Sequence, residues 1–114
     1  MDELINHITA ATGVDRRVAR RATGIIIGFL SREGPPEAVK ALLDDLPGGR
    51  DLLAESGRGS RGLMGVFGDL TGAGLGMGDI RGVAGALLGY ARAKAGPAKV
   101  DAVVAAIPGL SQFI

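Results

Sequence analysis

The sequence predicts an all-α fold, a compact helical bundle built from two similar three-helix units. Apolar residues recur at spacings of three and four along most of the chain, which is typical of amphipathic helices. No stretch alternates between apolar and polar residues over the length of a strand. The second half of the chain also repeats the first, so one helical unit is expected twice.

The internal repeat is clearest at a shift of 61 positions, which places Gly24 on Gly85. The other matches at this shift are Gly28 with Gly89, Phe29 with Tyr90, Pro36 with Pro97, Val39, Leu42, Leu43 and Leu46 with Val100, Val103, Val104 and Ile107, Pro47-Gly48 with Pro108-Gly109, and Leu52-Leu53 with Phe113-Ile114. A shift of 62 aligns Leu4, Ile5 and Ile8 with Val66, Phe67 and Leu70. The units are predicted at residues 1–53 and 63–114, joined by a linker at 54–62. They would form one domain, 1–114, around a pseudo-twofold axis.

The first unit is predicted to contain three helices. Asp15 is expected to cap the second of them, since an aspartate side chain can accept from the free N–H groups of a helix start. Gly34-Pro35-Pro36 would end the second helix, and Pro47-Gly48-Gly49 the third. The predicted buried positions are Leu4, Ile5, Ile8 and Ala11 in the first helix, Val18, Ala22, Ile25, Ile26 and Phe29 in the second, and Val39, Leu42, Leu43 and Leu46 in the third.

The second unit is predicted to repeat this order. The segment Gly72–Gly78 is expected to be a flexible turn and the place where the protein opens, if it opens anywhere. Asp79 would cap the next helix, and Gly96-Pro97 would end it. The predicted buried positions are Leu63, Val66, Phe67 and Leu70 in the first helix of this unit, and Ile80, Val83, Ala84, Leu87 and Leu88 in the second.

Composition and charge limit the classes of function. The chain has 114 residues, no cysteine and a formal net charge of +1. Without cysteine, disulfides, thiol catalysis and cysteine-based zinc sites are excluded. The near-neutral charge does not favour binding to nucleic acid, and no apolar run approaches the roughly 20 residues of a membrane span. Because the opening "MDELINH" is acidic and unlike a secretory signal, a cytoplasmic location is expected.

Two glycine-containing segments match ligand-binding loops in part, and both are interpreted as structural. "GRGSRG", residues 57–62, fits G-x-G-x-x-G, but that fingerprint requires a preceding strand and none is predicted. Asp69 to Ile80 can be aligned with a calcium loop, but Thr71, Ala73 and Ile80 stand where oxygen ligands are needed. No cofactor, metal site or catalytic constellation is therefore predicted.

Two glycine pairs stand at equivalent places of the repeat, Gly24 with Gly28 and Gly85 with Gly89. Glycine inside a helix costs up to about 1 kcal/mol relative to alanine, so a compensating interaction is expected. The pairs are predicted to allow close helix packing between the two units, or to form a subunit interface or a ligand approach. An apolar cleft between the units would be lined by Ile26, Ile27, Met64, Leu87 and Leu88.

A basic patch is predicted at the start of the second helix. "DRRVARR" places Arg16 one turn from Arg20 and Arg17 one turn from Arg21. These four side chains would meet phosphate or an acidic partner, or they would form a solvated face.

The remaining chemical candidates are few. His7, the one histidine, is expected on the polar side of the first helix. Asp44-Asp45 lies at a predicted helix C-terminus, where the helix dipole disfavours negative charge, and is the one acid–base candidate. No partner residue for catalysis is identifiable beside either.

The pattern "GDIRGVAGALLGYARAKAGPAKVDAVVAAIPGLSQFI" and its counterpart in the first half resemble small bacterial all-helical proteins that are grouped as a domain of unknown function. The shared features are two helices joined by a Gly-Pro or similar turn and a terminal Leu/Ile-Pro-Gly motif followed by apolar residues. The resemblance covers nearly the whole chain. It implies a bacterial protein, cytoplasmic or associated with the cell envelope, and it implies no activity, cofactor or catalytic residue.

These observations favour a non-catalytic helical interaction module that self-associates or binds a protein partner. The support is the doubled unit, the lack of a chemical site, and apolar ends such as "GLSQFI" that need a surface to dock on. The alternative is a binder of a small apolar ligand in the cleft between the two units.

Overall fold

A computed structural model of this chain describes residues 2–46, 51 and 62–107. Their α-helices are α1 (Asp2–Thr12), α2 (Arg16–Glu33), α3 (Pro36–Asp45), α4 (Gly62–Gly72), α5 (Met77–Ala95) and α6 (Pro97–Ala106). No strand occurs in these ranges, which confirms the all-α prediction. The Cα radius of gyration is 12.3 Å, close to the roughly 13 Å of a compact domain of this size.

The two long helices, α2 and α5, contact each other and most of the shorter helices. α1 makes its most extensive contact with α5. The two run antiparallel, because Glu3 pairs with Lys94 near one end and Thr12 approaches Gly82 near the other. α4 packs on α2, and α3 packs on α6. The first short helix of each half therefore lies on the long helix of the other half.

The apolar stripes predicted from helical spacing meet in one core. Its members include Leu4, Ile5, Ile8, Ala22, Ile26, Phe29, Val39, Leu42, Leu43, Leu46, Val66, Leu70, Ile80, Val83, Leu87, Leu88, Val100, Val103, Val104 and Ile107. Ala11 is exposed, contrary to the prediction. Adjacent helical positions point about 100° apart, and Thr12, not Ala11, is the residue that approaches α5.

The start of α2 forms as the sequence predicts. Asp15 is the N-cap residue, and its carboxylate accepts a hydrogen bond of 3.1 Å from the backbone N–H of Arg17. α2 ends at Glu33, where Gly34 and Pro35 follow, and Pro36 occupies the first turn of α3. Proline suits that position because its missing N–H would have no partner in the helix.

The turn between α4 and α5 is a Schellman motif. The N–H of Leu75 donates to the carbonyl of Leu70 at 3.3 Å, and that of Gly74 to the carbonyl of Thr71 at 3.0 Å. Gly74 has φ +101°, the left-handed conformation that this motif requires. Leu75 is 3% exposed beside buried Leu70, so the turn is anchored in the core. The segment is therefore a hydrogen-bonded turn, and the expectation that it is flexible stays a prediction.

Asp79 does not cap α5 in the predicted way. The helix begins at Met77, so Asp79 lies in its first turn and Gly76 takes the cap position. The Asp79 carboxylate reaches back and accepts a hydrogen bond of 3.3 Å from the N–H of Gly76. The prediction placed the helix start too late. Glycine can also occupy the N-cap position, but it has no capping side chain that would mark this position in the sequence.

Several predicted features lie outside the described residues. These are the linker at 54–62 and the "GRGSRG" segment, apart from Gly62, which begins α4; the stop at Pro47-Gly48-Gly49; the side chain of Leu63; and the chain end from Pro108. None of the described helices is long and apolar enough to cross a bilayer.

Candidate functional site

The two glycine pairs lie in different surroundings. Gly24 and Gly28 are buried in α2, the position that close helix packing requires. Gly85 and Gly89 are exposed on α5, and a Cβ atom added at either would meet no atom within 4 Å. The prediction of a crossing in the core is therefore wrong for the second pair. The spacing of glycines along a helix predicts a strip without side chains, but it does not predict which element covers that strip. The alternative roles of Gly85 and Gly89, in a subunit interface or a ligand approach, stay predictions.

Four of the five residues predicted to line an apolar cleft belong to the buried core, namely Ile26, Ile27, Leu87 and Leu88. Met64 is 84% exposed and does not join them, so the prediction is wrong for this residue. α4 packs on α2 and buries Val66 and Leu70. Those two positions share a face, and Met64 points about 120–160° away from it around the helix.

The four arginines of the predicted patch are all exposed near the start of α2: Arg16, Arg17, Arg20 and Arg21. Arg16 Nη1 donates to Asn6 Oδ1 on α1, and Arg20 takes part in a further interaction. The helix start already has the Asp15 carboxylate as a cap. These contacts favour a solvated face over an anion site.

The acidic pair is at the surface. Asp44 and Asp45 are both exposed at the end of α3, and Asp45 forms an ion pair with Lys99 of α6. A carboxylate paired with lysine at the surface links two helices and contributes at most about 1 kcal/mol. It is not placed in a cleft, as general acid–base chemistry requires.

The segment aligned with a calcium loop is helical at both ends. α4 continues to Gly72, α5 starts at Met77, and Ile80 is buried, so the chain does not follow a loop around an ion. In the described parts of the chain, no group of three or more histidine, aspartate or glutamate residues could hold a metal ion.

Two helices bring together a polar cluster that the sequence analysis did not identify, here called the α1–α5 seam: Glu3 and His7 of α1, and Tyr90 and Lys94 of α5. Lys94 Nζ lies 3.2 Å from Glu3 Oε1 and 5.6 Å from the centroid of the Tyr90 ring. The His7 ring lies 5.4 Å from the Tyr90 ring, centroid to centroid. Tyr90 is 6% exposed, and its buried hydroxyl has no hydrogen-bond partner of normal geometry.

Charge and burial shift two pKa values in this seam. The hydrogen bond and the charge of Lys94 lower the pKa of Glu3. Burial raises the pKa of the Tyr90 hydroxyl, and the negative charge of Glu3 raises it further. At neutral pH Glu3 is therefore charged and Tyr90 is protonated. Tyr90 is thus held in its protonated form, and the seam joins α1 to α5 through an ion pair and aromatic contacts.

The seam gives the fold a predicted dependence on pH. The lowered pKa of Glu3 means that its contribution to stability is lost as pH falls through that value. The raised pKa of Tyr90 means that its contribution is lost as pH rises above the ordinary tyrosine value of about 10. Glu3→Gln is expected to reduce the loss of stability at acid pH, and Tyr90→Phe the loss at alkaline pH. Urea unfolding followed by circular dichroism, repeated from acid to alkaline pH, measures the free energy of unfolding of each variant. The same pH dependence in variant and unsubstituted protein would contradict the roles given to Glu3 and Tyr90.

One feature of the sequence indicates that position 90 differs from its counterpart in the first half of the chain. The predicted repeat aligns Tyr90 with Phe29, so the second half of the chain carries a hydroxyl where the first half has phenylalanine. His7 is exposed, as predicted, but its contact with Tyr90 joins residues from opposite halves of the chain. No local pattern contains that pairing, because it depends on α1 packing on α5.

Large apolar side chains are exposed at two positions of the described chain, Met64 at 84% and Met77 at 57%. Met64 lies in the first turn of α4, and Met77 begins α5 just after the turn that follows α4. Phe67, one turn from Met64, is half-buried, and α4 contains a single charged residue, Asp69. Met64 and Phe67 of α4, together with Met77 beyond the C-terminal end of that helix, are here called the α4 surface.

Comparison with known proteins gives no match to a family model, to a curated protein or to a solved structure. The resemblance to bacterial helical domains of unknown function therefore stays a prediction, and the function of the chain has to be argued from its own residues.

Proposed function

We propose that this chain is a non-catalytic helical interaction module, and that the α4 surface is where it binds a protein partner or a second copy. The observation that carries the proposal is the exposure of Met64 and Met77 in a chain whose other described large apolar side chains are buried or half-buried. Exposed apolar surface is unfavourable in water, and methionine is common at protein-binding surfaces because its flexible side chain adapts to a partner.

The internal repeat is part of the proposal. We infer that the two halves are related by a pseudo-twofold axis, because α1 packs on α5 as α4 packs on α2, and α3 (Pro36–Asp45) and α6 (Pro97–Ala106) correspond residue by residue in the repeat. The two halves differ, however, in the side chains that they expose to solvent. α1 has the polar residues Asn6 and His7 on its outer face, whereas α4 exposes Met64.

The glycine pairs differ in the same sense. The pair in α2 is buried and the pair in α5 is open to solvent. Each interior glycine costs α5 up to about 1 kcal/mol, and none of the described residues makes a contact that offsets that cost at Gly85 or Gly89. Open apolar and small-residue surface on one half of a doubled fold supports docking on that half. The expected bacterial origin and cytoplasmic location stay predictions.

Site-specific cross-linking tests the proposal. A photo-crosslinking amino acid in place of Met64 is expected to capture a protein, either the partner in lysate or another copy in the purified sample. The same amino acid in place of Ala105, which is exposed on α6, serves as the matched control. Gel analysis and mass spectrometry measure the adducts. Equal capture from both positions, or capture from neither, would exclude the α4 surface as the docking site.

A further inference from the structure

α1 packs on α5 of the opposite half of the chain and also on α2, to which it is joined directly. Its apolar face is completely covered, with Leu4, Ile5 and Ile8 each at most 1% exposed. Its most extensive contact is with α5, which is distant in sequence, and its link to α2 is the three-residue segment 13–15. Most of the surface that holds α1 in place therefore belongs to the opposite half of the chain.

The segment 13–15, here called the hinge, divides its hydrogen bonds between the two helices: Asp15 bonds to α2, whereas Gly13 and Val14 bond to α1. The N–H of Gly13 donates to the carbonyl of Thr9 at 2.8 Å, and the N–H of Val14 donates to Thr12 Oγ1 at 3.2 Å. Both acceptors belong to α1 and would move with it. Gly13 has φ +73° and a Cβ atom there would meet nothing within 4 Å. Straightening this residue leaves a conformation that only glycine adopts readily, while the half-buried Val14 beside it packs against the core and would be uncovered with α1 until a partner covers them again.

From these contacts we propose that α1 exchanges between two copies of this chain, so that α1 of one copy covers α5 of the other. Every contact between α1 and the remaining helices can be remade in the exchanged dimer, including the pair of Glu3 with Lys94 and the bond of Arg16 to Asn6. An isolated helix of 11 residues is not stable in water, so a released α1 has to find either its own α5 or that of a neighbour.

The exchange goes beyond the proposed function, since its interface is the α1–α5 contact and not the α4 surface. In the exchanged dimer, the face of α5 that α1 covers is occupied by α1 of a second copy of the chain. The charges permit this occupant, because the seam pairs a carboxylate of α1 with a lysine of α5 whichever copy supplies them.

The close approach of Thr12 to Gly82 provides the test. A Cβ atom added at Gly82 would lie 3.8 Å from the Cβ of Thr12, which is the separation found in disulfides. The chain has no cysteine of its own, so an engineered pair reacts without competition. One copy carries Thr12→Cys, the other carries Gly82→Cys, and the two are mixed at high concentration under mild oxidation. Only an exchanged dimer holds the two positions at bonding distance.

Three matched samples complete the design. The chain with both Thr12→Cys and Gly82→Cys is expected to form the disulfide within one copy, which shows that the substituted protein folds. Thr12→Cys mixed with Ala105→Cys measures random collision, since position 105 is exposed on α6. Adding Gly13→Ala to both mixed chains strains the closed hinge, and it is expected to raise the exchanged fraction about 5- to 30-fold per hinge.

The expected result is a disulfide-linked dimer of the first mixture well above the level of the collision control, and a further rise with Gly13→Ala. A yield equal to the control, while the doubly substituted chain closes normally, overturns the exchange. Light scattering of the unsubstituted chain separates the two proposals. A dimer seen there without the mixed disulfide leaves docking through the α4 surface standing, and cross-linking from position 64 then tests it alone.

Discussion

Leu87→Ala is expected to lower the free energy of unfolding by about 2–5 kcal/mol, the range for a leucine truncated in a well-packed core. Leu87 is 1% exposed on α5 and belongs to the same buried cluster as Ile26, Ile27 and Leu88. The loss combines the transfer free energy of the removed methyl groups with the cavity they leave. Equilibrium unfolding in urea, followed by circular dichroism, measures it.

The matched control is Met64→Ala, which removes a side chain of similar size from an exposed position. Its effect on unfolding is expected within about 0.5 kcal/mol, because little burial is lost. The pair also decides between the two functions considered for this chain. If Leu87→Ala were nearly neutral, the side chain would line a pre-existing cavity, and binding of a small apolar ligand between the halves would replace the interaction module as the better proposal.

Gly34→Ala is expected to destabilise the fold by about 1–3 kcal/mol, the cost of overpacking a filled site. Gly34 is buried at the end of α2, and a Cβ atom there would lie 2.7 Å from the carbonyl oxygen of Leu30 and 2.8 Å from Cγ2 of Val39. The carbonyl belongs to the last turn of α2 and accepts the N–H of Gly34 itself, so it cannot move away without opening that turn. The φ of −85° suits alanine, so the expected cost is steric.

Gly85→Ala and Gly89→Ala are the controls, and they are expected to act in the opposite direction. No atom of the described residues lies within 4 Å of a Cβ at either position, so each substitution is expected to raise the free energy of unfolding by up to about 1 kcal/mol through helix propensity alone. Destabilisation by these changes would show that the α5 strip is covered in solution. A gain in stability together with weaker association would locate a partner on the strip.

Much of the fold can be predicted from the residues that cap or end helices and from the spacing of apolar residues. Asp15 begins α2, Gly34-Pro35 ends it, and Gly96 with Pro97 separates α5 from α6, because these residues have strong local preferences for caps and breaks. Burial of Val39, Leu42, Leu43 and Leu46 follows from their spacing along one helical face.

The candidate site could be predicted less well. The predicted repeat aligns Gly24 with Gly85, yet Gly24 is buried and Gly85 is exposed. Met64 is apolar, as core residues are, but its side chain is exposed to solvent. Both outcomes depend on which neighbouring helix covers which face, and a single helix does not encode its neighbours.

The sequence by itself determined the helical class, most helix boundaries and the apolar stripes, since each follows from interactions between residues within a few turns of one another. Only the tertiary structure decided that α1 lies across α5, that Glu3, His7, Tyr90 and Lys94 form one seam, and that Met64, Met77 and the second glycine pair remain open. These features arise from contacts between residues far apart in the chain. Their geometry is set by the packing of whole helices against one another, and repeat and periodicity leave that arrangement undetermined.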